Sequence, residues 1–324
     1  MSGNLIEVED LTVQFRRKSS KLISLKAEHF SAVDHVTFSI KKGETYGLVG
    51  ESGSGKSTIG KAILRFHNPS GGKILYDGDN ITHLHEKALL PYRRKMQSVF
   101  QDPYASLDPS MTVSEIISEP MEIHQLYTKK ERKERAAELI ETVGLSKVDL
   151  LKYPHEFSGG QRQRISIARA LSIQPEFVLC DEPISALDVS LQAQIVNMLE
   201  ELQDQLGLTY LFISHQLQIA QKICDHIGVM YLGQILEEGS SEAIYGNPQH
   251  PYTQMLLSSM LEPDPDVHSL DQIVIDSGVQ SYSGKGCKFA SRCPYATERC
   301  LNEMPEYYTT GEEHRVACFH VLDN

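Results

Sequence analysis

"TYGLVGESGSGKSTIGKAILRF", Thr45 to Phe66, joins a short apolar run, a glycine-rich loop and a stretch able to form a helix. Gly50, Gly55, Lys56 and Ser57 fit the pattern G-x-x-x-x-G-K-[ST], set between strand and helix as that pattern requires. Glycines let the backbone wrap closely around phosphates. The candidate nucleotide site is therefore Gly50, Glu51, Ser52, Gly53, Ser54, Gly55, Lys56, Ser57 and Thr58. Lys56 is placed to reach the terminal phosphates, and the Ser57 hydroxyl to ligate Mg2+.

Farther on, "FVLCDEP" (177–183) sets four apolar residues before two acids. This is a buried strand with carboxylates at its C-terminal end. Asp181 is the expected Mg2+ ligand, and Glu182 the group that polarises the attacking water. Between these motifs stands "FSGGQRQRISIARAL" (157–171), a serine and two glycines opening a helix. Free N–H groups and the positive end of the helix dipole make such a start an anion site.

A second phosphate-binding helix start gains a purpose from a resemblance. The order of these motifs resembles the ABC ATPase superfamily: "SGGQ" as its signature, Gln101 in "VFQDP" as its Q-loop, "SALD" (185–188) as its D-loop and His215 in "FISH" as its switch histidine. The resemblance implies two nucleotide domains facing head to tail. Ser158, Gly159, Gly160 and Gln161 would then cap the ATP held by a partner subunit. It also implies roles for Gln101 at Mg2+, Asp188 at the nucleotide and His215 at the terminal phosphate. Gln216 stands where the family commonly has an acid, and Phe157 where leucine is more frequent. The adenine is expected on an aromatic of the N-terminal β-region, with Phe30, Phe15 and His29 as candidates.

"VFQDPYASLDP", "CDEPISALDVSLQAQIVNML" and "HPYTQMLLS" (250–258) resemble the ATPase subunits of oligopeptide and dipeptide importers. That implies ATP and Mg2+ as cofactor set, a second ABC ATPase subunit, two membrane-spanning permease subunits and, indirectly, an extracytoplasmic substrate-binding protein. Residues from roughly 101 to 125 would receive the permeases' coupling helices. The expected location is the cytoplasmic face of the cell membrane.

The bulk numbers agree. Of 324 residues, 43 acids against 31 bases give a net charge of −12, which argues against nucleic acid as a partner. The longest apolar runs, such as "LTYLFI" (208–213), fall far below the roughly 20 residues of a membrane span. The start, "MSGNLIEVEDLTV", lacks the basic-then-apolar pattern of an export signal.

The expected fold is α/β: a RecA-like P-loop core with an N-terminal antiparallel β-subdomain, a helical insertion over about 113–172 and a small cysteine-bearing C-terminal extension. The expected division is 1–245 and 246–324. "LIEVEDLTVQF" and "AVDHVTFSI" read as half-buried strands, residues 16–30 between them as an exposed loop, and the part beyond 246 as one short helix, a Pro/Asp linker and loops. Cys287, Cys293, Cys300 and Cys318 are crowded there as C-x5-C-x6-C-x17-C, while Cys180 and Cys224 are isolated. Four thiolates could hold zinc or a [4Fe–4S] cluster, or stay as reduced thiols. Resemblance to peptide importers favours the cluster.

Two other functions are weighed. A non-transport ABC protein would carry two nucleotide domains or a long coiled coil, and this chain has neither. A catalytically weak ATP-binding partner subunit stays the alternative: Lys56, Asp181, Glu182, the signature and His215 are all present and favour competence, whereas Gln216 counts toward the weaker reading.

Overall fold

The computed structural model describes residues 3–17, 28–258, 284–311 and 313–322. Two long antiparallel strands open it, β1 (Asn4–Arg17) and β2 (Glu28–Lys41). β3 (Thr45–Val49) leads through the glycine loop into α1 (Lys56–Ile63). β4 (Gly71–Tyr76), β5 (Asp79–Asn80), α2 (Glu86–Lys95), β6 (Met96–Val99) and one turn, α3 (Pro103–Ser106), follow. The helical insertion is α4 (Val113–Ile123), α5 (Lys129–Thr142) and α6 (Gly159–Leu171). Then come β7 (Phe177–Asp181), α7 (Val189–Leu206), β8 (Thr209–Ser214), α8 (Leu217–Ile223), β9 (His226–Tyr231) and β10 (Gln234–Ser240). The C-terminal part adds α9 (Ser241–Gly246), α10 (Pro251–Ser258), α11 (Glu298–Asn302), β11 (Tyr308–Gly311), β12 (His314–Val316) and α12 (Phe319–Leu322).

One sheet is antiparallel, in the order β2-β1-β4-β5. The other runs β11-β12-β10-β9-β3-β8-β7-β6, with β9, β3, β8, β7 and β6 parallel. Every residue of β3, β7 and β8 is buried, as expected for strands covered on both faces. Alternate side chains serve two cores. Phe177, Leu179, Leu211 and Ile213 pack toward α1 and the N-terminal sheet, while Val178, Cys180, Tyr210 and Phe212 pack toward the helical insertion. The insertion's helices start on reciprocal caps: Thr112 with Glu115, Thr128 with Glu131, Ser158 with Gln161. Gly207, left-handed at φ 65°, closes α7.

Two sequence expectations need correction. The stretch 16–30 is not all loop. The β1–β2 ladder continues through Phe15 opposite Phe30 and Arg17 opposite Glu28, because cross-strand partners stabilise residues whose own pattern is weak. Residues 18–27 lie outside the described set, as does the Pro/Asp linker within 259–283. The cysteine-bearing tail is also not merely loops: β12 pairs with β10, and β11 with β12, which extends the main sheet and covers an edge that β10 would otherwise expose.

Candidate active site

A cavity of about 420 Å³ opens beside the glycine loop, lined by Ser52, Gly53, Gly55, Lys56, Ser57, Thr58, Gln101, Glu182, Phe15, Phe30 and Ala32. The loop lies beyond the C-terminal end of β3, where parallel α/β sheets bind ligands. Its glycines are needed for shape. Gly50 has φ 146° and a Cβ there would sit 2.1 Å from the Met230 carbonyl oxygen; Gly55 has φ 108° and a Cβ 2.2 Å from that of Ala32. The β9–β10 turn braces the loop, Gly233 N–H donating to the Ser54 carbonyl at 2.8 Å.

Lys56 is 4% exposed, and its ammonium donates to the carbonyls of Gly50 and Glu51, each at 2.8 Å, and to Ser54 Oγ at 3.2 Å. Burial lowers its pKa, opposed by the charges of Glu182, Asp181 and Glu51. The Ser57 hydroxyl donates to Asp181 Oδ1 at 2.7 Å. Burial raises the Asp181 pKa, and the Ser57 hydrogen bond works against that. A hydroxyl and a carboxylate held together form a hard oxygen donor pair, which fits Mg2+.

Glu182 follows β7 at φ 49°, a left-handed backbone that a glutamate seldom adopts. Its N–H donates to the Ile213 carbonyl at 3.0 Å, which fixes the turn to β8. His215 Nδ1 lies 3.3 Å from Glu182 Oε2. Gln216 contributes no side-chain cap to α8, and its N–H is held by Ser214 Oγ at 2.9 Å.

The signature stands apart. Ser158 and Gln161 are exposed, Gly159 half-buried and Gly160 buried, and none lines this cavity. Nor does Asp188, whose exposed carboxylate caps α7 through Leu191 N–H at 3.0 Å. Phe15 and Phe30 both line the cavity and are 39% and 53% exposed. The side chain of His29 lies outside the described set.

Cys287, Cys293, Cys300 and Cys318 line one small cavity of about 10 Å³ with His250 and His320. Burial raises the pKa of Cys287, Cys293 and Cys318, that of Cys293 to about 11. His250 is buried; its Nδ1 accepts from Tyr252 N–H at 2.9 Å, leaving Nε2 without a hydrogen-bond partner. Four thiols and an unsatisfied imidazole nitrogen in one cavity are donor chemistry that fits a thiolate-bound metal group. As the side chains stand, no three His, Cys, Asp or Glu among the described residues form a group that could hold an ion. Cys180 and Cys224 are buried singly in the main core.

Sequence reasoning missed two residues at the phosphate loop, Tyr252 and Arg292, both from the C-terminal part. The Glu51 N–H donates to the Tyr252 hydroxyl at 3.0 Å, and Arg292 pairs with the Glu51 carboxylate. The only sequence signal was "HPY" itself, which no local rule ties to a loop about 200 residues away.

Two family models match the chain: "ABC transporter" over residues 33–185 and "Oligopeptide/dipeptide transporter, C-terminal region" over residues 236–300. The chain is 49% identical to the putative oligopeptide transport ATP-binding protein YkfD of Bacillus subtilis, covering 99% of this chain and 96% of that protein. It is 47% identical to the oligopeptide transport ATP-binding protein AppF of the same organism, covering 97% and 96%. Among solved structures it resembles the ATP-binding cassette MJ0796, a dimer bound to ADP and phosphate in a post-hydrolysis state. That match has a TM-score of 0.65 and 28% identity, over 73% of this chain and 98% of that one. CbiO1 of Clostridium perfringens, part of the ABC transporter complex CbiONQ, matches with a TM-score of 0.65 and 27% identity over 75% and 91%.

Proposed function

Because the chain belongs to the oligopeptide-import family of ABC transporter ATP-binding proteins, we propose that it hydrolyses ATP to drive peptide import through membrane-spanning partners. The observation that carries this reading is the arrangement of Lys56, Ser57 and Glu182 around one cavity at the ends of parallel strands, with Asp181 hydrogen-bonded to Ser57 behind them. Lys56 exchanges its loop carbonyls for the terminal phosphates. Ser57 and Asp181, with Gln101 opposite, would hold Mg2+, which neutralises phosphate charge. Glu182 orients a water and takes its proton, and His215 holds the Glu182 carboxylate toward it. Phe15 or Phe30 supports the adenine. Ser158, Gly159, Gly160 and Gln161, with Asp188, complete the site of a second ATPase subunit, because they do not line this chain's own cavity.

Among the described residues no helix is long and apolar enough to cross a membrane. On this reading the transport path comes from two permease subunits, and this chain docks at the cytoplasmic face. A groove of about 270 Å³ between the end of α1, β6 and the end of α4 supports that docking: it is lined by Phe66 and Ile123, 54% and 61% exposed. Residues 246–324 form the importer-type extension. In it Cys287, Cys293, Cys300 and Cys318 would hold a [4Fe–4S] cluster or zinc, which would tie these loops together. The purified chain should contain iron or zinc that is lost on Cys293→Ser; a metal-free, folded wild type would refute that part.

The deciding experiment compares ATP turnover of the assembled transporter with the native chain and with Glu182→Gln. Turnover is expected to fall at least about 100-fold while ATP binding persists. Unchanged turnover would assign catalysis to the partner subunit.

A further inference from the structure

Among the described residues, the C-terminal extension hydrogen-bonds the phosphate loop at Glu51. Arg292 donates to both carboxylate oxygens, from Nη1 to Oε2 at 2.9 Å and from Nη2 to Oε1 at 2.8 Å. A two-pronged guanidinium–carboxylate pair fixes orientation as well as distance. The Glu51 N–H is held separately, by the Tyr252 hydroxyl at 3.0 Å. Its carbonyl accepts from Lys56 at 2.8 Å. Side chain, N–H and carbonyl of one loop residue are thus each fixed, and two of the three anchors come from the extension.

The anchors are themselves rigid. Tyr252 is fully buried, with its ring 4.8 Å from Tyr231 and 5.3 Å from Phe289. The Arg292 guanidinium lies 5.6 Å from the centre of Tyr231 and keeps its charge firmly, chiefly through Glu51. Both grow from the wall of the thiol cavity: Arg292 adjoins Cys293, and Tyr252 follows His250 by two positions.

Lys56 must release the carbonyls of Gly50 and Glu51 when it turns to phosphate. Without another hold, the loop would lose its internal strut at the moment it needs its shape. We propose that Arg292 and Tyr252 are positioning residues of the phosphate loop, by which the cysteine-bearing extension keeps the loop shaped for nucleotide. Neither residue lines the cavity beside the loop, so they act on affinity and not on the chemical step. This rests on the reading that the loop binds ATP.

The test is equilibrium binding of a fluorescent ATP analogue to the full chain, joined to KM and kcat in the assembled transporter. Arg292→Ala is expected to raise Kd and KM about tenfold, with kcat nearly unchanged. Arg292→Lys restores part of the loss. Tyr252→Phe, which removes one oxygen from a buried site, shifts Kd the same way and decides the matter if the alanine variant does not fold. Arg292→Ala in a Glu51→Gln background should add little, since the pair is already weakened. Wild-type Kd in both single variants, with only a lowered unfolding midpoint, would reduce the extension to a brace and overturn the proposal. A wild type that binds no ATP would overturn the ATP reading as well, so the two failures are distinguishable.

Discussion

His226 shows how one residue ties distant parts of the chain to solution conditions. Its Nδ1 lies 2.6 Å from a Glu44 carboxylate oxygen and its Nε2 lies 2.9 Å from one of Glu313. Both partners only accept, so both contacts are satisfied together only by the doubly protonated ring. The close approach of the Glu44 carboxylate raises the His226 pKa above its ordinary 6.5, with burial opposing; the charge of Glu313 adds to the rise, and Lys41 works against it. A raised folded pKa stabilises the fold fully below the unfolded value of about 6.5, and that contribution fades as pH rises through the folded value. Urea unfolding midpoints should therefore decline from pH 6 upward, and His226→Gln should flatten that decline. An identical slope in the variant would rule the residue out as its source. Little of this was legible in the sequence, because Glu44, His226 and Glu313 meet only once three separate segments are stacked.

At the scale of elements, α6 is the informative case. Its start reads as an anion site from Ser158 and two glycines, and in the structure it is capped by its own side chains. Ser158 caps its own helix, accepting from Gln161 N–H at 3.4 Å, while the Gln161 side chain accepts from Ser158 N–H at 3.0 Å. Ser158 and Gln161 nevertheless face solvent, away from the nucleotide cavity of the same chain. Ser158→Arg should accordingly leave ATP affinity of the isolated chain near wild type and abolish ATP-induced association of the nucleotide domains. Light scattering in the Glu182→Gln background reads that association. A parallel loss of ATP affinity would place the signature in this chain's own site instead. The β12 strand is the opposite case: "HRV" is too short to read as a strand, and its existence depends on the edge of β10.

The described residues build a mixed sheet, parallel from β9 to β6, between two cores, with accessory layers from both ends of the chain. The N-terminal sheet brings Phe15 and Phe30 to the cavity, and the C-terminal extension brings Tyr252 and Arg292 to its loop. One layer lines the cavity, and the other holds Glu51 of its loop. The helical insertion, by contrast, turns Ser158 and Gln161 outward to solvent.

The sequence by itself determined the core. The glycine loop, the buried acid-ended strand, the amphipathic helices and their caps are governed by interactions within a few residues, so spacing and residue type suffice to read them. Lys56, Ser57, Asp181 and Glu182 were found for that reason. Tertiary structure alone decided the extra length of β1 and β2, the addition of β11 and β12 to the main sheet and the grip of Arg292 and Tyr252 on Glu51. The β10–β12 pairing and the grip on Glu51 join segments far apart in the chain, and the longer β1–β2 ladder rests on cross-strand pairing. Their stability depends on burial and on hydrogen bonds that no local pattern encodes, so they become visible only when the chain has folded.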